Sequence, residues 1–292
     1  MGPVEAPEFR VNEVAARRQV ARLQPADVRS KPDRSPPVEL TVLPSPDRAD
    51  SLPEVRERLP GGRVTTLHVL RVFVGPDGTG GNPLGVFLDG TAIGAERRQA
   101  VTVELGFAET VFVEDTARGA IRIFLPTQEA AFAGHPTVGT AWLLREVGSP
   151  VEVLRPPAGD VPVRYDAERT WVRARVAWLP GAIRVVELGS AEEVEAHPGQ
   201  AMGEPWLYIW AWEDEAAGRV RSRAFPTNYG LLEDEASGAA SIFMADMLGR
   251  PLSIRQGVGS EILVRPQDDG TVEIGGRTEM VETRDYPVGP SA

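Results

Sequence analysis

Ala133–Ala141 reads AGHPTVGTA, and upstream of it Phe107–Val113, FAETVFV, carries an acid. A Gly-His-Pro-Thr step that follows a short strand and opens a helix aims backbone N–H groups, an imidazole and a hydroxyl at one spot. Beside it stands a lone glutamate, Glu109. Residues of these types together can hold an anion and move a proton.

Composition narrows what such a site can be. The chain has 292 residues, a net charge of −11 and a pI near 4.9. That length can bury a sizeable core. The negative charge opposes binding to nucleic acid or to an anionic membrane face. No apolar run approaches the roughly 20 residues of a spanning helix, and the N-terminus lacks a signal-peptide core, so the expected location is the cytoplasm. There is no cysteine, which removes disulfides, thiolate nucleophiles and Cys-based metal sites. Lys31 is the only lysine and lies among prolines, which argues against Schiff-base, pyridoxal-phosphate and Walker-A chemistry. Acids, hydroxyls, three histidines and backbone remain.

Residues 1–62 hold 10 of the 26 prolines and equal numbers of basic and acidic side chains, so the whole net charge sits beyond them. They read as a disordered or loosely docked extension. With no Met between Met1 and Met202, a shorter product would need a start codon other than Met, such as one at Val64.

From Leu67 the pattern changes. Leu67–Val74 reads as a strand, Gly75–Pro83 as a Gly-rich turn and Leu84–Leu88 as a second strand. No lysine follows that turn and a strand comes next, so it is no phosphate loop. Ala95–Leu105 has helical spacing with Gly106 as its stop. Ala108–Glu114 and Ala120–Leu125 alternate as strands, and Pro136–Val147 is a helix with proline in its first turn. Val151–Arg155 and Val161–Trp178 read as further strands, and Pro180–Gln200 as an acidic segment with a short surface helix. Trp206–Trp212 is an aromatic strand, read as buried or as a dimer contact in preference to a ligand-stacking wall. Val220–Phe225, Leu252–Arg255 and Glu261–Val264 are strands, Ala239–Leu248 is a helix, and Val272–Glu282 is a terminal hairpin.

Part of this pattern occurs twice. IRIFLPTQEAAFAGHPTVGTAWLL from Ile121 is echoed by VRSRAFPTNYGLLEDEASGAASIFM from Val220. Laying Gly139-Thr140-Ala141 on Gly238-Ala239-Ala240 places His135 over Asp234. Two halves built alike, with facing helix N-termini, would form one site between them.

With these pieces together the chain resembles the PhzF (phenazine-biosynthesis) family of isomerases, within the diaminopimelate-epimerase-like fold. The motifs are GGNPLGVFLDG (Gly80–Gly90), GFAETVFVE (Gly106–Glu114), Phe124–Ala141, EDEASGAA (Glu233–Ala240), IRQG (Ile254–Gly257) and VEIGGRTEMVE (Val272–Glu282). The resemblance implies an α+β fold of two pseudo-symmetric lobes, each a mixed sheet curled around a central helix, over residues 63–160 and 161–292 after the Pro-rich extension. It also implies a site in the cleft, a homodimer, and no cofactor or metal. Proline racemases and diaminopimelate epimerase share the fold but use paired cysteines, which this chain lacks.

By the same resemblance Glu109 is the catalytic acid, taking a proton from one carbon of a small unsaturated or cyclic carboxylate and returning it at another. Phe107 and Phe112 would supply apolar surroundings that raise its pKa. His135, Gly134 and Thr137 of the first half, Asp234, Ser237 and Gly238 of the second, and Asn82 on the Gly-rich turn are the expected substrate contacts. His68 and His197 read as incidental. The chain departs from the family at Ala239, where a hydroxyl is usual, so that Thr140, Ser237 or Ser241 would stand in. Two alternatives are a binding protein of the same fold with an eroded second half-site, and a cysteine-free racemase or epimerase.

Overall fold

The computed structural model describes residues 63–179 and 181–288; the extension expected over residues 1–62 lies outside them. In chain order the elements are β1 (Arg63–Val74), β2 (Gly80–Phe87), α1 (Ala95–Leu105), β3 (Glu109–Asp115), β4 (Ala120–Phe124), β5 (Glu129–Ala130) and α2 (Gly134–Glu146). Then come β6 (Val153–Leu154), β7 (Val161–Tyr165), β8 (Thr170–Arg175), β9 (Arg184–Glu187), α3 (Ala191–Ala196), β10 (Leu207–Asp214) and β11 (Arg219–Phe225). α4 (Gly238–Leu248), β12 (Leu252–Gln256), β13 (Ser260–Pro266) and β14 (Thr271–Val288) complete the fold.

The strands join in one mixed sheet in the order β5-β4-β3-β2-β1-β14-β13-β12-β11-β10-β9, with β8 also on β14 and the β6–β7 hairpin beside it. The pairs β2/β3, β9/β10 and β11/β12 are parallel and the rest antiparallel. This α+β arrangement leaves two helices inside the curl. α2 is buried along its whole first half, Gly134–Ala141, as a helix enclosed by sheet on all sides must be. α4 buries Gly238, Ala240, Ser241, Ile242, Met244 and Ala245. α1 lies on the outer face, where Phe112 stacks on Phe87 at a centroid spacing of 5.3 Å and meets Phe124 edge to face at 5.4 Å. It ends at Gly106, whose φ of 70° is the left-handed conformation that stops a helix.

One strand holds the two sides together. The expected terminal hairpin over Val272–Glu282 does not exist; β14 runs unbroken for 18 residues. Its first part pairs with β8 and β13, and its second with β1, from Val74↔Arg277 to Arg63↔Val288. Gly275-Gly276 mimics a turn signal, but the glycines serve close packing. A Cβ on Gly275 would meet the Trp171 ring at 2.4 Å, and one on Gly276 would meet Phe73 at 2.5 Å. Phe73 itself sits at a bulge in β1 with φ 69°, a strained position for a side chain of its size.

Three further readings change. β2 begins at Gly80, inside the expected turn, so Asn82 is a strand residue paired with Val72. The expected strand Val151–Arg155 shrinks to two residues, and Val161–Trp178 divides into β7, β8 and a 3-10 turn at Val176–Trp178. The acidic segment contains β9 as well as its short helix, because Arg184–Glu187 finds a parallel partner in Leu207–Trp210.

Overpacking tests the β14 junction. Gly275→Ala should lower the unfolding free energy by about 1–3 kcal/mol, measured from the urea midpoint. An unchanged midpoint would refute the close-packing explanation.

Candidate active site

The helix starts define the site. Gly134 opens α2 and Gly238 opens α4, and the two meet: a Cβ on Gly134 would stand 3.0 Å from the Gly238 Cα, and one on Gly238 would stand 2.9 Å from the Gly134 Cα. Neither position has room for a side chain. The internal echo is therefore real but out of register, since Gly134 rather than Gly139 answers Gly238, and Ala239 rather than Asp234 answers His135. The equivalence follows where each helix begins. The first N–H groups of each helix have no intrahelical acceptor, and both positive dipole ends face the same place.

A cavity of about 330 Å³ lies at this junction, lined by Glu109, Gly134, His135, Asp234, Ser237, Gly238 and Ala239 among others. Glu109 is the first residue of β3, where strand alternation turns it with Val111 and Val113 toward α2. Phe112 points the other way and packs with Phe87 and Phe124. The expectation that Phe107 and Phe112 surround the acid is thus incorrect, because both belong to the outer cluster. Glu109 is 8% exposed, and its Oε2 lies 3.5 Å from His135 Nδ1 without a well-formed hydrogen bond. Burial, and secondarily the negative charge of Asp234, raises its pKa well above the ordinary glutamate range.

His135 is 2% exposed, and burial pushes its pKa down to about 3 against a smaller opposing pull from the Pro83 carbonyl. The imidazole is therefore neutral at physiological pH. Asp234 reaches the cavity from the segment before α4, where its N–H donates to the Ala224 carbonyl at 2.9 Å and its carbonyl accepts from Gln256 Nε2 at 2.8 Å. Burial raises its carboxyl to about 6, while hydrogen bonds from Asn82, Ser237 and the Ala236 amide act in the opposite direction.

The other expected contacts divide. Ser237 and Gly238 line the cavity; the Ser237 hydroxyl also caps α4 by accepting from the Ala240 N–H at 3.5 Å. Thr137 does not line it: its hydroxyl donates to the Ala133 carbonyl at 2.7 Å inside α2. Asn82 stands behind the cavity, donating to Asp234 Oδ1 at 2.6 Å and to the Ala236 carbonyl at 3.1 Å, so it ties β2 to the segment before α4 instead of lining the cavity. Of the proposed stand-ins for the missing hydroxyl, Ser241 is bonded to the Ser237 carbonyl at 2.8 Å and Thr140 is buried away from the cavity. His68 and His197 also lie away from it. Among the described residues no group of three or more His, Cys, Asp or Glu is placed to hold a metal ion.

The sequence reading missed the cavity's other wall. Phe132, Trp178, Leu179, Trp206, Tyr229 and Leu231 line it. Tyr208 and Trp210 are core residues, as a buried strand requires, but Trp206 stands just before β10 and faces the cavity. Its place at the head of the strand was the available signal; Trp178 and Tyr229 carried none.

Comparison with known proteins bears on the fold and the family. A family model described as phenazine biosynthesis-like protein matches residues 75–197. A protein of Pasteurella multocida named an uncharacterized isomerase is 26% identical over 266 residues, covering 73% of this chain and 91% of the relative. The trans-2,3-dihydro-3-hydroxyanthranilate isomerase of Pseudomonas aeruginosa is 30% identical over 223 residues, covering 63% of this chain and 80% of the relative. Among solved structures, a PhzF-family phenazine biosynthesis protein of Bacillus anthracis aligns with a TM-score of 0.64 at 19% identity, over 77% of this chain and 99% of the other. A hydroxyproline epimerase of Agrobacterium vitis aligns at 0.52 and 13% identity, over 78% and 94%.

The raised carboxyls make a signed prediction. A group whose folded-state pKa is raised favours the folded state below its unfolded pKa, and that contribution is lost as pH rises through the folded value. Glu109→Gln should therefore be more stable than the parent at pH 8 and nearly equal at pH 4, by thermal melts. Asp234→Asn should gain in the same direction, with about 2–3 kcal/mol accumulating between its ordinary value of 3.8 and the folded value of about 6. A gain that is the same at both pH values would contradict the assignment.

Proposed function

The chain belongs to the phenazine biosynthesis-like (PhzF) family of isomerases, and on that premise we propose that it shifts a proton between two carbons of a small unsaturated or cyclic carboxylate, without a cofactor, with Glu109 as the proton carrier. The observation that carries the proposal is the setting of Glu109: a buried carboxyl of raised proton affinity, beside a neutral imidazole, at the meeting point of two helix N-termini.

Each part has a chemical task. The free N–H groups at the starts of α2 and α4 hold the substrate carboxylate, and stabilise negative charge that spreads onto an oxygen as the carbon loses its proton. Glu109 takes that proton; the electron pair of the broken C–H bond enters the neighbouring π system and reappears at the far carbon. Glu109 then returns the proton there, forming the new C–H bond, and nothing is consumed. A carboxyl whose proton affinity has been raised by burial is a stronger base toward carbon than one in water. His135, neutral, donates or accepts a hydrogen bond without competing for charge. Asp234 holds a polar group of the substrate from the opposite side.

The two raised carboxyls, one at the start of β3 and one on the segment before α4, favour one second reading, a two-base epimerisation in which Glu109 and Asp234 would act from opposite faces of one carbon. Family membership alone extends the proposal to a cytoplasmic homodimer serving secondary metabolism.

Incubation in D2O with a panel of dihydroaromatic and unsaturated carboxylates, including trans-2,3-dihydro-3-hydroxyanthranilate, distinguishes these readings. The proposal expects a moved double bond, deuterium at the accepting carbon, and a loss of about 10²–10⁴ in kcat for Glu109→Gln. Deuterium entry with inversion and no double-bond movement would favour the epimerase. Turnover undiminished in Glu109→Gln would sink both.

A further inference from the structure

The cavity extends well beyond the groups that handle the proton. Its remote wall combines Phe132 and Trp178, tilted at 5.8 Å, with Trp206 and Tyr229, edge to face at 5.7 Å, and Leu179 and Leu231 complete it. Trp178 sits on the 3-10 turn after β8 and is only partly buried, so it is a large apolar ring kept at a cavity surface instead of in the core. At the seat of the missing hydroxyl, Ala239 adds a methyl.

Charge points the same way. Among the described residues that line the cavity, none is Lys or Arg, whereas Glu109, Glu129 and Asp234 are acids. Arg175 lies 6.0 Å over the Trp178 ring but does not line the cavity. The backbone N–H groups of the two helix starts can hold one anionic group; a second would meet no cation and would be desolvated beside acids, which is unfavourable. Flat apolar rings, by contrast, are well matched to paired aromatic side chains.

We propose that the substrate is a monocarboxylate whose other end is a flat, largely apolar ring, and that Trp178 and Trp206 select that ring. This inference rests on the carboxylate seat described under the proposed function but not on the role of Glu109 as proton carrier. It sets the chain apart from enzymes for dicarboxylates and for small polar acids.

Isothermal calorimetry on the Glu109→Gln protein reads binding without turnover. The probes are trans-cinnamate, crotonate, glutarate and cinnamyl alcohol. Cinnamate should bind at least tenfold more tightly than crotonate, with glutarate weakest. Adding Trp178→Ala, at a partly exposed position that folding tolerates better than Trp206, should bring cinnamate and crotonate within about threefold of each other. Crotonate or glutarate matching cinnamate, or a preference that survives Trp178→Ala, would overturn the ring wall while leaving the carboxylate seat intact. Cinnamyl alcohol binding as tightly as cinnamate would overturn the seat, and with it the monocarboxylate assignment.

Discussion

Two helices start in contact, and the rest of the molecule accommodates that contact. Gly134 and Gly238 approach so closely that a Cβ on either would stand about 3 Å from the other's Cα. The positive ends of two helix dipoles would repel each other if nothing negative lay nearby. Glu109 and Asp234 lie at that junction, and a bound carboxylate would complete the neutralisation. Strand β14, shared by β1 on one side and β8 and β13 on the other, carries the sheet past the helices and holds their starts together.

The same enclosure that brings the helices together removes water from the acids. Desolvation is the largest influence on both Glu109 and Asp234, and the two negative charges disfavour one another. The pair is not symmetric, because Asp234 receives the Asn82 amide at 2.6 Å whereas Glu109 has only a distant histidine. A proton shared between them is better placed on Glu109. His135, kept neutral by burial, leaves that proton where it is. A site with these properties costs stability at neutral pH, as sites arranged for proton transfer commonly do.

Much of this was legible from local chemistry. α1 has the bounds its spacing and its glycine stop predicted, and the helix after AGHPT begins two residues before its proline. Glu109 and His135 stand out by residue type and neighbours, and Asp234 by the internal echo and the family resemblance; all three line one cavity. What escaped depends on tertiary approach. Gly275-Gly276 resembles a turn unless Trp171 and Phe73 are known to lie against it. Asn82 resembles a turn residue until Asp234 is seen beyond it. Phe112 is three residues from the acid by sequence and on the opposite face by strand alternation, a distinction the period of two could have supplied. The aromatic wall draws on four separate segments, and no local pattern unites Phe132, Trp178, Trp206 and Tyr229.

The central claim is that Glu109 has a raised proton affinity because the enclosure where the two helices meet keeps it dry. Carboxyl-13C NMR of selectively labelled protein, titrated with Glu109 and Asp234 assigned by their Gln and Asn variants, measures this directly. The account predicts that Asp234 titrates near 6 and that Glu109 titrates well above the ordinary glutamate range. Ionisation of both in the ordinary range around pH 4 would contradict it.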